Sequence, residues 1–201
     1  MKTLPAVMRR LIVPSAALAI AIGLSAPAPV SMAAAADAAH GQVTFIATQS
    51  EAPLEGAFHR FSAHIDFDPD HPQAARIEVE IDVASVDAGG DDADNLLKSR
   101  EFFDAARFPG ATFVATSITP ASDGKFQARG QFTLKGHSAP IVIPFAARRD
   151  GTSLWLEGGT AISRLAYNVG EGQWSDPSLL EDPVRIKFTL RVASGAGGWS
   201  R

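Results

Sequence analysis

The 201-residue sequence contains no cysteine, which excludes a disulfide scaffold, a thiol nucleophile and a lipid anchor on cysteine. The G-x-S-x-G elbow of serine hydrolases, the glycine-rich phosphate loop and the H-E-x-x-H zinc motif are missing as well. These absences predict that the protein is not an enzyme and has neither a metal site nor a resident cofactor.

Basic residues are also scarce after the first ten positions. Lys2, Arg9 and Arg10 precede the first acid, Asp37, so the rest of the chain has 15 basic and 22 acidic side chains. A surface with that excess of negative charge repels phosphate backbones, and no run of lysine or arginine makes a local exception. Nucleic acid is therefore excluded as a partner.

The first 36 residues have the order of a secretory signal peptide. The basic start is followed by an uncharged apolar stretch from Leu11 to Leu24 and then by small residues. Cleavage after Ala33 or after Ala36 satisfies the small-x-small rule. Pro14, Pro27 and Pro29 interrupt the longer uncharged stretch from Leu11 to Ala36, which favours cleavage over an uncleaved membrane anchor. We therefore expect an exported, periplasmic protein.

The remaining chain shows period-two patterns. Residues 76–83 alternate apolar and charged side chains over eight positions, which predicts a strand with one face in water. The segment 184–192 repeats the pattern with basic outer residues, and the opposite charges of the two segments suggest neighbouring strands. Weaker alternation predicts further strands at 43–49, 58–67, 111–118, 125–134, 141–147 and 153–163.

Only the segment 91–98 favours a helix, with acids at its start and Lys98 at its end. One short helix cannot connect parallel strands, so the sheet is expected to be antiparallel. We predict an all-β fold, a barrel of about eight strands over residues 41–193 with one short helix. A sandwich is the alternative on pattern alone, and residues 194–201 read as a flexible tail.

The polar candidates are few. Arg164 shares a strand face with Ile162, so a buried guanidinium is expected, which would need an anion. That anion is either a neighbouring carboxylate or the head group of a ligand. His59 and His64 lie five residues apart on one predicted strand and make a poor metal pair.

Phenylalanine is the conspicuous residue type, with 12 copies against one tyrosine. Many lie on predicted strands, and Phe102, Phe103 and Phe108 follow the short helix. An eight-stranded barrel either packs such side chains solidly or encloses one small apolar ligand. Pattern alone does not separate these two cases.

Four segments in order resemble the YceI-like family of secreted bacterial proteins. They are Gly56–Phe61, Lys98–Asp104 with the following Phe108–Pro109 and Ala111–Phe113, Gly130–Gly136, and Ile162–Arg164. The segment Tyr167–Trp174 further resembles members found beside membrane cytochromes of the b561 type. The pairs Leu96–Leu97 and Tyr167–Asn168 differ from the residues usual in the family. These differences bear on which head group of a lipid the protein binds more than on its fold.

The resemblance implies a lipocalin-like barrel whose apolar cavity holds an isoprenoid lipid, either a quinone or a prenyl pyrophosphate. We therefore expect a non-enzymatic binder or carrier of such a lipid; the alternative is an interaction module that docks on a membrane b-type cytochrome. The sequence also leaves open whether the protein forms a homodimer. The candidate ligand-binding residues are Phe45, Phe58, Phe61, Phe102, Phe103, Phe113, Phe132, Phe145, Arg164, Tyr167 and Trp174.

Overall fold

Antiparallel pairing organises the chain, as the alternating patterns predict. A computed structural model describes residues 40–122 and 124–193. The signal peptide predicted for residues 1–36 and the tail predicted for 194–201 lie outside these ranges. The strands are β1 (His40–Gln49), β2 (Ala52–Phe58), β3 (Phe61–Asp66), β4 (Arg76–Asp82), β5 (Val86–Asp87), β6 (Gly110–Ser122), β7 (Lys125–Leu134), β8 (His137–Asp150), β9 (Ser153–Ser163) and β10 (Pro183–Ala193).

The ten strands form one curled antiparallel sheet in the order β3-β4-β6-β7-β8-β9-β10-β1-β2-β5. Its two ends meet because β2 continues into β3 and β4 continues into β5 across a shared bend. At that bend the backbone N–H of His59 donates to Ser85 O (3.2 Å) and that of Asp82 donates to Arg60 O (3.0 Å). With each bent pair counted as one strand, the lipocalin-like barrel has the eight strands that the pattern predicts, and its fold class is confirmed.

Two details of the predicted strands are wrong. The stretch 58–67 is not one strand, because the chain bends at His59–Arg60 and β3 begins only at Phe61. The strands with opposite outer charge are not neighbours either, since β4 pairs with β3 and β6 whereas β10 pairs with β9 and β1. Strand order follows the connecting turns and the inward apolar faces, which outweigh a weak attraction between exposed charges.

Helix α1 (Asp91–Lys98) has the bounds that the sequence predicts. Asp91, Asp92 and Asp94 lie in its first turn and Lys98 in its last, an arrangement that complements the helix dipole. The Asp94 carboxylate also accepts the backbone N–H of Ala88 at 2.7 Å, which ties the helix to the loop before it. No helix in the described part of the chain is long and apolar enough to cross a membrane.

The two ends of the barrel are built differently. At one end, which we call the helix end, α1, the turns of residues 99–109 and the segment 164–182 lie beside Gln49, Leu134 and Ser163. At the other end, Phe67, Phe126 and Phe145 pack together with ring centroids 5.0 to 5.5 Å apart. Outside this aromatic cluster, Arg149 bridges Asp68 and Asp70 at 2.8 Å each. The helix end is therefore built from a helix and irregular segments, and the other end from packed aromatic rings.

Candidate functional site

The barrel interior is not packed solid. A first space, the upper cavity, lies at the helix end and holds about 1030 Å³ counted to its open side. A second, the lower cavity, extends toward the aromatic cluster and holds about 810 Å³ counted in the same way. Val43, Ile81, Phe132 and Ile186 line both. Because they share these walls, the two spaces adjoin each other inside the barrel.

The cavity walls follow from strand alternation. Inward positions of β4, β7 and β10 carry aliphatic or phenylalanine side chains, whereas their neighbours along each strand face outward. Among the described residues, only Gln49 and Arg164 are polar or charged in the lining of the upper cavity, and only Thr160 is polar in that of the lower cavity. The interior therefore offers apolar surface along its whole length and few hydrogen-bonding groups.

The open side lies between β2 and α1. Gln49, Leu54, Ala88, Ala93 and Leu96 border it, and Leu96 is 36% exposed although it lines the cavity. The first turn of α1 places three aspartates beside this opening. We call this border of five residues the mouth; it combines an apolar rim with acidic surroundings.

Phe102 and Phe103 close the upper cavity from the helix end. They follow α1 in a series of tight turns, in which Phe103 N–H donates to Leu97 O at 3.0 Å and Asp104 has a positive φ of 49°. Both rings are buried, at 5% and 8% exposure. The centroid of the Phe102 ring lies 5.6 Å from that of Trp174, and the centroid of Phe103 lies 5.8 Å from that of Phe58.

Arg164 is buried, as predicted, but its partners are not anions. Its Nε donates to Glu181 O at 2.9 Å, its Nη1 to Val169 O at 2.8 Å and Gly170 O at 3.3 Å, and its Nη2 to Leu180 O. Burial lowers the pKa of Arg164, and the nearby Asp182 carboxylate opposes that shift. The expectation that this arginine needs a carboxylate or a head group is corrected: backbone carbonyl dipoles satisfy four of its five N–H donors.

These bonds lie within residues 164–182, a segment that we call the strap, and tie its start to its middle and its end. Backbone hydrogen bonds join the strap to the rest of the protein. Gly170 N–H and Glu171 N–H both donate to Glu101 O, at 2.9 and 2.8 Å, and Glu181 N–H donates to Thr48 O at 2.9 Å. Gly170 adopts a φ of +81°, and a Cβ there would lie 2.5 Å from Arg164 Nη1, so glycine is required for this close approach.

Lys135 is a buried charge that the sequence reasoning missed. It lies in the turn between β7 and β8 with a positive φ of 50°, and its side chain is 6% exposed. Its Nζ donates to Asn168 O at 2.7 Å and to Glu171 Oε2 at 3.2 Å. A lysine in a predicted turn gives no signal of burial, because the partners come from the strap more than 30 residues later. Its role is to fasten the strap.

Trp174 lies on the strap and lines the upper cavity. Its Nε1 is buried and has no hydrogen-bond partner among the described residues. A buried indole N–H without a partner costs about 1–3 kcal/mol and is uncommon. Trp174 therefore has an unsatisfied donor, and that atom has almost no accessible surface.

The structure brings nine of the predicted ligand-binding residues to the cavity walls. Phe45, Phe58, Phe102, Phe103, Phe132, Arg164 and Trp174 line the upper cavity, and Phe113, Phe132 and Phe145 line the lower one. Phe61 and Tyr167 line neither. Tyr167 is 2% exposed, stacks edge-on against Phe132 at 5.3 Å between centroids, and has a pKa raised by burial. The predicted site contains no aliphatic residue, although strand alternation marks most of the aliphatic lining residues as inward-facing.

Comparisons with known proteins agree with this architecture. Residues 35–192 match the family model of the YceI-like domain. A UPF0312 protein of Shewanella sp. (strain ANA-3) is 33% identical over 59% of this chain and 63% of its own length, and one of Azotobacter vinelandii is 31% identical over 58% and 64%. The aligned part of the chain thus spans less than two thirds of these relatives.

Solved structures show the same fold. BcnA of Burkholderia cenocepacia is 36% identical, has a TM-score of 0.75, and aligns over 76% of this chain and 96% of its own. A polyisoprenoid-binding domain of Saccharophagus degradans, implicated in plant cell wall breakdown, is 17% identical with a TM-score of 0.63 over 79% of this chain and 96% of its own. The second likeness, at that identity, concerns the fold alone.

Proposed function

The chain belongs to the YceI-like family, and from that premise we propose that it binds and carries an isoprenoid lipid in the barrel cavity. The observation that supports this most directly is the apolar interior of the barrel, in which the upper and lower cavities adjoin each other. The domain of similar fold from Saccharophagus degradans is a polyisoprenoid-binding domain, which agrees with this proposal. The tail of a quinone or of a prenyl pyrophosphate is the ligand chemistry that fits such walls.

The energetics of an apolar tail suffice for useful affinity. Each buried CH₂ contributes about 0.8 kcal/mol, so a few isoprene units offset the roughly 4–15 kcal/mol lost on association. The walls are largely formed by β-strands, so little ordering is required when the ligand enters. Affinity then depends on tail length and only weakly on directional contacts.

We propose carriage rather than catalysis. The polar or charged side chains lining the upper cavity are Gln49 and Arg164 within the described ranges. An amide and a guanidinium held by four carbonyls are poor general acids and bases near neutral pH. The lining thus supports a binding role.

The periplasm is the proposed location, on the basis of the predicted signal peptide. N-terminal sequencing of the protein from a periplasmic fraction tests this. A mature chain that begins at residue 34 or 37 supports export with cleavage, and a protein that stays in the cytoplasmic fraction with Met1 contradicts it.

Docking on a membrane b-type cytochrome stays a prediction from the sequence. The segment behind it, Tyr167–Trp174, lies on the strap, and Tyr167 and Val169 are buried at 2% and 7% exposure. Its apolar side chains therefore face the barrel, and no contact of the described residues favours this second function. A homodimer likewise stays untested.

A blocked cavity tests the carrier proposal. Val43 lines both cavities and is 4% exposed, so Val43→Phe places a ring where the two spaces meet. The matched control is Val114→Phe on the outer face, where Val114 is 43% exposed. Each protein is titrated with a prenylated benzoquinone and, after expression, extracted and examined by native mass spectrometry for retained lipid.

We expect wild type and Val114→Phe to bind equally and Val43→Phe to bind at least tenfold more weakly while it keeps the wild-type circular dichroism spectrum. Equal binding by all three proteins places the ligand outside the barrel and refutes the proposal. Because Val43→Phe risks overpacking, its unfolding curve is measured as well, and Ile186→Phe at the same junction serves as a second blocking variant.

A further inference from the structure

The lower cavity ends at one level on three strands of the barrel. On each strand the last lining residue is followed, two positions farther from the helix end, by an inward residue that lines neither cavity. These pairs are Ala128 and Phe126 on β7, Leu156 and Leu154 on β9, and Leu190 and Val192 on β10. Phe126 and Leu154 are buried, at 5% and 3% exposure, so side chains close the cavity here. We call Phe126, Leu154 and Val192 the floor.

Packed aromatic rings lie behind the floor. The centroid of the Phe126 ring lies 5.0 Å from that of Phe67 and 5.5 Å from that of Phe145. Phe145 lines the lower cavity, whereas Phe67 comes from the loop after β3. Arg149 holds that loop from outside through ion pairs of 2.8 Å with its two aspartates. The end of a tail that reaches the floor therefore meets a close-packed surface.

The depth above the floor is limited. The lining of β10 runs from Val184 in the upper cavity to Leu190 in the lower one, six residues farther along the strand. At about 3.3 Å per residue and a strand tilt of about 40°, this stretch covers roughly 15 Å of the barrel axis. A tail that enters by the mouth and passes from the upper into the lower cavity therefore ends at the floor.

We propose that the floor sets the longest isoprenoid tail that the barrel accepts, and that Phe126 is the residue that determines this limit. The inference rests on the proposed function and adds a maximum tail length to it. When the end of a tail touches the floor, every further isoprene unit stays outside the mouth in water. The carbons of that unit lose the apolar surroundings that they had in a membrane, so longer homologues are rejected.

Two substitutions on β7 move the floor in opposite directions. Phe126→Ala removes the six ring carbons of the floor residue, and an isoprene unit has five carbons, so the space gained is about one unit long. Ala128→Phe adds the same six carbons at the next inward position, inside the lower cavity. Val83→Ala is the matched control, because Val83 is fully buried and lines neither cavity.

The assay is a competition among tail lengths. The mature protein is incubated with phosphatidylcholine vesicles that contain an equimolar mixture of prenylated benzoquinones with two to ten isoprene units. It is then separated from the vesicles and extracted, and the retained homologues are quantified by mass spectrometry. A second series with prenols of the same tail lengths shows whether the limit belongs to the tail or to the head group.

We expect wild type to show a length limit, beyond which one added isoprene unit lowers retention at least tenfold. Phe126→Ala should raise this limit by one unit and Ala128→Phe should lower it by at least one unit. Val83→Ala should leave it unchanged. The shifts should be the same for quinones and prenols, because the floor contacts only the tail.

Retention of all tail lengths by wild type in equal amounts refutes a length limit. A folded Phe126→Ala protein with the wild-type limit refutes the role of Phe126, and a wild-type limit in Ala128→Phe as well refutes the floor; the carrier function stands in each case. Circular dichroism is recorded for every variant, and Ala128→Phe decides alone if Phe126→Ala does not fold. If wild type retains no homologue of either series, the proposed function is itself refuted, and this inference with it.

Discussion

Replacement of Arg164 by methionine should destabilise the protein strongly, since this side chain ties the start, the middle and the end of the strap together. The substitution removes the donors of Glu181 O, Val169 O, Gly170 O and Leu180 O at once. Val169 and Leu180 are 7% exposed each, so their carbonyls have little access to water. Arg164 itself is 2% exposed, and methionine leaves space near its end that water could enter.

The magnitude follows from the acceptors left behind. A buried acceptor without a donor costs about 1–3 kcal/mol, and if water reaches two of the four carbonyls the remaining two cost roughly 2–6 kcal/mol. The relief of not burying a guanidinium offsets part of this cost. We therefore expect a loss of about 3 kcal/mol, which for a domain of this size lowers Tm by roughly 6–12 °C.

Urea unfolding followed by circular dichroism measures the loss, with Arg185→Met as the control, because Arg185 is exposed on β10. We expect the control to change the free energy of unfolding by less than about 0.5 kcal/mol. Arg164→Lys should recover little, since one ammonium group cannot serve carbonyls placed around a planar guanidinium. If Arg164→Met loses less than about 1 kcal/mol, the carbonyl cage does not stabilise the strap, and the reasoning is refuted.

Two further perturbations test local features. The Asp68 carboxylate raises the pKa of the His71 imidazole, and His71 lowers the pKa of Asp68. This exposed pair therefore contributes most above the unfolded pKa of the acid, about 3.8, and below that of the base, about 6.5. NMR titration should place the His71 midpoint above 6.5, and Asp68→Asn should lower that midpoint; an unshifted wild-type midpoint would contradict the pairing. Gly136→Ala should lower the free energy of unfolding by at least twice the roughly 1 kcal/mol expected of Gly151→Ala. The reason is that a Cβ at Gly136 would lie 2.8 Å from the Phe108 ring, whereas Gly151 faces open space. Equal losses of the two variants in urea unfolding would show that the Phe108 ring moves aside.

The sequence predicts most of the barrel because a half-buried strand alternates. The bounds predicted for β7, β9 and α1 match the structure to the residue. The sequence does not predict β2, because Pro53 and Gly56 break its alternation. Glycine is needed at position 56, because a Cβ there would lie 2.3 Å from the Phe45 ring. β5 has only two residues, Val86 and Asp87, too few to show any period.

The candidate site was predictable in part. Phenylalanines on inward strand positions mark the cavity walls, but pattern does not tell a lined cavity from a filled one, since both require the same residues. The hydrogen-bond partners of Arg164 could not be predicted from the sequence, for a different reason. They are backbone carbonyls on the strap, and any residue type supplies a carbonyl, so its position depends on the path of an irregular segment rather than on composition.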